Sequence, residues 1–217
     1  MHPEQLASKT DRVDAPHVSG LNDLVRGWRT RWPDRSMLWF DPDDGGIEAR
    51  VLILMEAPGP RNIPATTHGF CTEDNADPTA RSLAQERARA GLQRADYLRW
   101  NIVPWLPVGE DGKWRSPRPL DLEEATEPLT QVRELLPNLQ LVITVGRPAL
   151  HGWTRQQTLF HQQLVPLLAV PHQSQRNTKG RVESLERWRY ALAVAALVAG
   201  RGNDSNTERS FPGRQTY

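Results

Sequence analysis

Short apolar runs, each followed by a polar or Gly/Pro-containing turn, are the main pattern of hydrophobic and polar positions along the chain. The runs cover residues 51–55, 97–100, 141–145 and 167–170. Such runs, rich in Val, Ile and Leu and separated by helical segments, are typical of buried parallel strands. In open parallel sheets, ligands bind outside the carboxyl ends of the strands. The turns that follow the four runs are therefore predicted to face one shared pocket.

The segments between these runs carry helical periodicity and predict a three-layer α/β/α sandwich with a central four-stranded, mainly parallel sheet. Helices are expected over residues 21–30, 78–90, 122–136 and 184–199. Asp77 or Thr79 is expected to cap the second of these helices, and Gly91 to stop it. A polar loop is predicted from Pro60 to Asp77. The expected organisation is a flexible leader over 1–18, one α/β domain over 19–200 and a disordered tail over 201–217.

Composition and charge narrow the class of protein. The chain has 217 residues and a net charge of +1, so any nucleic-acid-binding surface must be a local patch. Cys71 is the single cysteine, which excludes an intramolecular disulfide and an all-cysteine metal site. The sequence contains neither a stretch of about 20 apolar residues nor a signal-peptide pattern. We expect a cytoplasmic monomer without a metal or other cofactor and without a membrane contact.

Two polar features after the predicted strands are suited to binding a base. The turn from Glu56 to Pro60 contains small residues, which expose backbone N–H groups and allow a ligand to approach, although such turns also form without any ligand. Asn101 ends a strand of bulky residues, where Asn is uncommon and needs hydrogen-bond partners when buried. A carboxamide accepts from N3–H of uracil and donates to O4, whereas cytosine presents the opposite pattern. Asn101 is therefore the leading candidate for base recognition.

Phe70 and His172 each allow two interpretations. Phe70 follows Gly69 in the predicted loop, and it either packs back on the core or provides a stacking face for a flipped base. His172 follows the last predicted strand, and it is either structural or a donor to a departing base. Basic residues near these positions suit phosphate contacts or a solvated surface. They are Lys113, Arg115 and Arg118 around Trp114, and Arg176, Lys179 and Arg181 after the His172 turn.

The order of these motifs resembles the uracil-DNA glycosylase superfamily over about residues 51–177. The shared features are Glu-Ala-Pro-Gly-Pro after the first strand, Gly-Phe in the next loop, Asn on the second strand and His-x-Ser after the last strand. The Glu-Ala-Pro-Gly form is similar to the iron–sulfur branch, which uses four cysteines. Because this chain has one cysteine, the resemblance implies a cluster-free relative.

The chain also departs from the superfamily pattern at three positions. Ala57 stands where some members have a water-activating Asp or Asn. Met55 stands where Gly is usual, and Gln173 replaces the Pro of the usual His-Pro-Ser turn. The water-activating side chain of those members is therefore missing, and Glu56 is the candidate for contacting the water.

The resemblance implies a role for each motif. Residues Ala57, Pro58 and Gly59 would line the base pocket with Phe70 stacking and Asn101 recognising the base. His172 and Glu56 would be catalytic, with His172 donating to O2 of the departing base. The DNA contacts would come from the turn after His172, in which Arg176 or Gln175 could fill the gap left by the flipped nucleotide. The predicted DNA-binding residues are Ser174, Gln175, Arg176 and Lys179.

The function predicted from these features is that of a monofunctional DNA glycosylase in base excision repair, which flips uracil out of DNA and hydrolyses its N-glycosidic bond. Flipping is needed because the bond is inaccessible in a stacked duplex. Two alternatives remain open. The substrate could be hypoxanthine or xanthine instead of uracil, or the protein could be a non-catalytic nucleic-acid or nucleobase binder with the same fold. In each case the partner is DNA or a nucleobase.

Overall fold

A computed structural model describes residues 1–60, 69–159, 163–172 and 181–200, with the side chain of Arg181 left out. Its central sheet consists of four parallel strands. Their order across the sheet is Tyr97–Asn101 (β4), Val51–Met55 (β2), Leu141–Val145 (β5) and Leu167–Val170 (β6). Strands β1 and β3 form a separate two-stranded parallel pair. The strands are β1 (Trp39–Phe40), β2 (Val51–Met55), β3 (Phe70–Cys71), β4 (Tyr97–Asn101), β5 (Leu141–Val145) and β6 (Leu167–Val170).

Seven helices in the described residues accompany these strands. They are α1 (Pro3–Asp11), α2 (Pro16–Arg31), α3 (Pro78–Ala90), α4 (Pro119–Glu124), α5 (Thr126–Glu134), α6 (Arg147–Leu159) and α7 (Arg181–Gly200). The predicted fold class, an α/β sandwich around a parallel sheet, is confirmed. None of the helices in the part of the chain that the structure describes is long and apolar enough to cross a membrane.

The sheet has an apolar core on each face because side chains alternate along its strands. Leu52 and Leu54 of β2 belong to a core that also contains residues of α2, α5 and α6. Val51 and Ile53 belong to the opposite core, with residues of α3 and α7. All five residues of β2 are buried, as expected for a strand covered on both faces. Trp105 and Trp153 lie in the first core and Trp188 in the second.

Local signals set several helix boundaries. The Asp77 side chain accepts a hydrogen bond from the Ala80 amide, and Gly91 ends α3 in the left-handed region with φ of 75°, as predicted. The helix predicted over 122–136 is divided at Ala125 into α4 and α5. Pro128 explains the division, because a proline without an N–H is favoured in the first turn of a helix. Helix α6 was not predicted, since Gly146 and Pro148 were interpreted as a turn.

The prediction of a flexible leader over 1–18 is corrected. Helix α1 lies in this segment, and α2 already begins at Pro16. The ammonium group of Lys9 is buried and forms ion pairs with Asp41 at 2.5 Å, with Asp74 at 3.0 Å and with Asp43. Sequence periodicity gives no signal for these contacts, because the partners lie more than thirty residues away. The predicted tail over 201–217 lies outside the described residues.

The polar loop predicted between Pro60 and Asp77 is also corrected in its second half. Phe70 and Cys71 form β3, which pairs in parallel with Trp39 and Phe40 of β1. Both residues of β3 are buried. Residues 61–68 lie outside the described part of the chain, so the structure describes the segment only from Gly69 onward.

Candidate active site

The carboxyl ends of the central strands bring three of the predicted site residues, Glu56, Asn101 and His172, to one edge of the sheet. Asn101 at the end of β4 lies beside Met55 of β2. The hydrogen-bonded ladder continues past the strands, since the Val103 amide donates to the Glu56 carbonyl at 3.1 Å. Asn101 and Glu56 therefore lie on adjacent segments of the chain at this edge.

The other half of this edge comes from β5 and β6. The Gly146 amide, directly after β5, donates to the Val170 carbonyl at 2.9 Å. His172 is half-buried and follows Val170 by two residues. Across the edge, the order of the residues is therefore Asn101, Glu56, Gly146 and His172.

Glu56 is half-buried, and its environment changes its acidity. Burial raises the pKa of the Glu56 carboxyl, while the charge of His172 acts in the opposite direction. An electrostatic effect of this kind requires the two side chains to be near each other. Glu56 and His172 therefore lie at the same carboxyl edge of the sheet, and their roles in catalysis stay a prediction.

The Asn101 side chain is 4% exposed and lies against β3. Its amide nitrogen Nδ2 donates to the sulfur Sγ of Cys71 at 3.6 Å. Burial raises the pKa of the Cys71 thiol to about 12, so this group is neutral at physiological pH. The sulfur of a neutral thiol is a weak hydrogen-bond acceptor. The contact therefore orients the carboxamide of Asn101 without placing a charge beside it.

Phe70 immediately precedes Cys71 and is fully buried. The Asn75 side-chain amide donates to the Phe70 carbonyl at 3.1 Å. The guanidinium group of Arg99, on β4, donates to the Thr72 carbonyl at 2.6 Å. β3 is thus fixed beside Asn101, but the ring of Phe70 has no face open to a base in this structure. Its stacking role stays a prediction.

A cluster of charges supports β3 from the side of α1. Carboxylate oxygens of Asp41, Asp43 and Asp74 lie within 4.8 Å of one another, close enough to share a metal ion. The ammonium group of Lys9 already contacts all three carboxylates. Arg94 adds ion pairs to Asp41 at 2.5 Å and to Asp74 at 2.9 Å. The cluster therefore contains its own cations and is an internal brace rather than a metal site.

The remaining predicted residues are only partly described. Ala57, Pro58 and Gly59 follow Glu56 at the same edge, with Pro58 buried and the other two half-buried. The predicted DNA-binding residues lie outside the described residues, as does Gln173. These are Ser174, Gln175, Arg176 and Lys179.

Arg115, for which a phosphate contact and a solvated surface were both open, has an acidic partner in the structure. Its guanidinium group forms two hydrogen bonds with Asp121, at 2.5 and 2.9 Å, and one with the Val108 carbonyl at 3.0 Å. Lys113 lies 3.3 Å from Asp111. Because these cations already have acidic partners, the segment presents less free positive charge than the sequence indicated.

Sequence reasoning missed two residues of the site, Cys71 and Gly146. Cys71 entered the argument only as the single cysteine that excludes a disulfide and an all-cysteine metal site, although its position next to Phe70 pointed to the site. Gly146 directly follows the run 141–145, which is the signal that could have identified it. Gly146 has no functional side chain, and the thiol of Cys71, a possible nucleophile, is buried and neutral.

Comparison with known proteins agrees with this geometry. The model of the uracil DNA glycosylase superfamily matches residues 42–196. This range contains five of the six described strands, β2 to β6. The chain therefore belongs to the uracil DNA glycosylase superfamily, a membership that supports a DNA glycosylase activity.

Among solved structures, the chain is similar to wild-type SMUG2 from Pedobacter heparinus. The TM-score is 0.47 and the sequence identity 14%, with 79% of this chain and 82% of that chain covered. A search of the curated proteins found no match.

Proposed function

We propose that this protein is a monofunctional DNA glycosylase that flips uracil out of DNA and hydrolyses its N-glycosidic bond. The observation that carries the proposal is the sequence of side chains along one sheet edge. The buried carboxamide of Asn101 and the half-buried carboxyl group of Glu56 lie on adjacent segments of the chain. The charge of His172 lowers the pKa of Glu56. A base reader and two groups suited to hydrolysis therefore share one site.

Asn101 is suited to recognising uracil because a carboxamide both accepts and donates. Its oxygen would accept from N3–H of uracil, and its nitrogen would donate to O4. Cytosine presents an acceptor and an amino group at these positions, so it would leave buried groups unpaired. Sites of this kind discriminate by about 10⁴-fold. The contact with Cys71 supports this role, since it orients the amide nitrogen.

The bond that breaks is the one between N1 of uracil and C1′ of the sugar. Its electron pair leaves with the base, and His172 would stabilise the resulting anion by donating a hydrogen bond to O2. One donor of this kind typically contributes about 10²–10³ in rate. Water would then bond to C1′ and pass a proton to the Glu56 carboxylate. Backbone groups of the Ala57–Gly59 turn would help to place that water.

The positions of the lysines favour hydrolysis of the base–sugar bond without cleavage of the DNA strand. A glycosylase that also cuts the strand uses an amine nucleophile, and lysines occur in this sequence only at positions 9, 113 and 179. Lys9 is enclosed by three carboxylates, which raise its pKa against the effect of burial and keep it protonated. Lys113 is 83% exposed beside Asp111. Neither of these two described lysines is an activated nucleophile.

Hypoxanthine and xanthine stay as alternative substrates for a chemical reason. Each carries an N–H donor next to a carbonyl acceptor, the same edge that uracil presents to a carboxamide. Asn101 would accept all three bases on hydrogen bonding alone. The size of the pocket would then decide between a pyrimidine and a purine.

The test is base excision from labelled oligonucleotides that contain uracil, hypoxanthine or xanthine, in single- and double-stranded form, followed by alkaline cleavage. We expect cleavage at uracil and its loss in Asn101→Asp, because a carboxylate cannot donate to O4. Asn138→Asp is the matched control, since Asn138 is exposed and only bonds to Glu48. Cleavage only at purine lesions would reassign the substrate. Binding without cleavage of any oligonucleotide would overturn the enzymatic proposal.

A further inference from the structure

We propose that Gly146 is a positioning residue for Glu56: the absence of a side chain at position 146 leaves the space that the Glu56 carboxyl group occupies. This inference rests on the proposed function, in which Glu56 places the attacking water. It also has a purely structural consequence, which can be measured when no activity is present.

The register of the sheet brings the two residues together. Leu54 of β2 pairs with Thr144 of β5, so the residues two positions further along, Glu56 and Gly146, are neighbours at the carboxyl edge. A Cβ atom on Gly146 would overlap the carboxyl oxygen Oε1 of Glu56. It would also stand 3.2 Å from Cδ and 3.4 Å from Cγ of the same side chain. The Glu56 side chain is therefore packed directly over the glycine.

The backbone of Gly146 is held on both sides, which leaves it little freedom to move away. Its amide donates to the Val170 carbonyl at 2.9 Å, and its carbonyl accepts from the Leu150 amide at 3.2 Å as α6 begins. Its φ of 84° lies in the left-handed region. A side chain at this position would therefore displace Glu56 rather than the backbone.

Gly146 also lies between the segments that carry Glu56 and His172. It directly follows β5, which lies between β2 and β6 in the sheet, and its amide hydrogen bond to Val170 fixes the chain two residues before His172. The order of the strands thereby puts Glu56 between Asn101 and His172 at the carboxyl edge, and Gly146 leaves room there for the carboxyl group.

The first experiment compares excision kinetics of the wild type with Gly146→Ala and Gly91→Ala. Gly91 is the matched control because its φ is 75° and a Cβ there would meet nothing within 4 Å. Both variants place alanine in the left-handed region, but only Gly146→Ala displaces Glu56. We expect kcat to fall on the order of 100-fold in Gly146→Ala with KM nearly unchanged, as for a misplaced catalytic group. Gly91→Ala should keep the wild-type kcat.

A double-variant cycle with Glu56→Ala separates positioning from general damage. Removing the carboxyl group makes room for the new Cβ, so in the Glu56→Ala background Gly146→Ala should cost no more thermal stability than Gly91→Ala does and little further activity. If Gly146→Ala alone does not fold, Glu56→Ala/Gly146→Ala should fold. Failure of this rescue would overturn the proposal, as would equal losses of activity for Gly146→Ala and Gly91→Ala.

The two proposals fail in distinguishable ways. A wild type that excises no base contradicts the proposed function alone. The inference about Gly146 is then tested by the ¹³C signal of the Glu56 carboxyl carbon during a pH titration. Gly146→Ala should shift this signal and its midpoint, whereas Gly91→Ala should leave both unchanged. An unchanged Glu56 signal in Gly146→Ala would overturn the positioning role.

Discussion

The amide nitrogen of Asn101 donates a hydrogen bond to the sulfur of Cys71 at 3.6 Å, and both side chains are buried. The pair joins the end of β4 to β3, which lies outside the central sheet. One amide hydrogen is thereby directed at the thiol, and the base would use the other hydrogen and the oxygen. The orientation of the proposed reader Asn101 thus depends on a buried, neutral thiol.

Replacing Cys71 tests this dependence. Cys71→Ala removes the acceptor and leaves a buried N–H unpaired, which costs about 1–3 kcal/mol and corresponds to roughly tenfold or more in kcat/KM for uracil. Cys71→Ser retains an acceptor and should stay near the wild type. Excision kinetics on uracil-containing DNA provide the measurement, with thermal melting to check folding. Equal activity of the two variants would contradict an orienting role for Cys71.

The pH dependence of excision should report the state of Glu56. Burial raises the pKa of this carboxyl, so activity that requires the carboxylate should disappear as the pH falls through a value above the ordinary 4.5. In His172→Ala the opposing charge is lost, and the acidic limb of the pH–rate profile should move to higher pH.

The same profile distinguishes His172 from a surface histidine. His151 is exposed on α6, so His151→Ala should leave the acidic limb in its wild-type place. His172→Ala should also reduce the maximal rate by about 10²–10³. A limb that does not move in His172→Ala would show that the two side chains are not electrostatically linked.

Lys9 should be essential for stability although it lies in a segment expected to be flexible. Lys9→Met removes the buried cation that contacts Asp41, Asp43 and Asp74 and leaves Arg94 as the other cation that they share. Breaking a buried ion pair in this way costs about 3 kcal/mol or more. Lys113→Met is the matched control because its ion pair is exposed and should contribute little. Urea unfolding at neutral pH measures both variants. A small effect of Lys9→Met would contradict the bracing role.

The cluster of Lys9, Asp41, Asp43 and Asp74 should make the protein less stable as the pH falls. Burial raises the pKa of Asp74, but hydrogen bonds from Arg94 and Lys9 outweigh this effect and lower it to about 2 from an ordinary value of 3.8. A carboxyl with a lowered pKa stabilises the fold above the unfolded value and loses that contribution as the pH falls toward the folded one. The free energy of unfolding should therefore decrease between about pH 4 and pH 2, and less steeply in Lys9→Met.

Two helical glycines should respond oppositely to alanine. In α6, a Cβ on Gly152 would overlap the Ile102 side chain and stand 3.4 Å from Leu122, so Gly152→Ala should destabilise the protein by about 1–3 kcal/mol. Gly27 in α2 meets nothing within 4 Å, and Gly27→Ala should stabilise it by about 0.5–1 kcal/mol. Denaturant unfolding gives both values. A stabilising Gly152→Ala would contradict the close packing of α6 on the segment after β4.

The parallel sheet could be predicted from the sequence because each central strand is a short apolar run with its own stop signal. Glu56, Asn101 and His172 were identified for the same reason, since each follows one of these runs within two residues. The ends of α3 were predictable because Asp77 and Gly91 cap the two ends of this helix through local contacts. Signals of this local kind carry most of the fold.

The features that escaped prediction depend on contacts between distant residues. Lys9 fixes α1 through carboxylates in two other segments, and periodicity does not reveal such pairing. β3 is two residues long and exists through its partner β1. Gly146 resembled an ordinary turn glycine, and only the register of β2 against β5 reveals the carboxyl group above it. Tertiary packing decided each of these cases.

The central claim is hydrolysis of the bond between base and sugar, and detection of the released base tests it most directly. A uracil-containing oligonucleotide is incubated with the full chain, and the products are analysed by mass spectrometry before any alkali is added. We predict free uracil in amounts equal to the abasic sites formed, on strands that remain intact. Intact, uracil-containing DNA recovered from a stable complex would contradict the account and make the protein a reader of DNA.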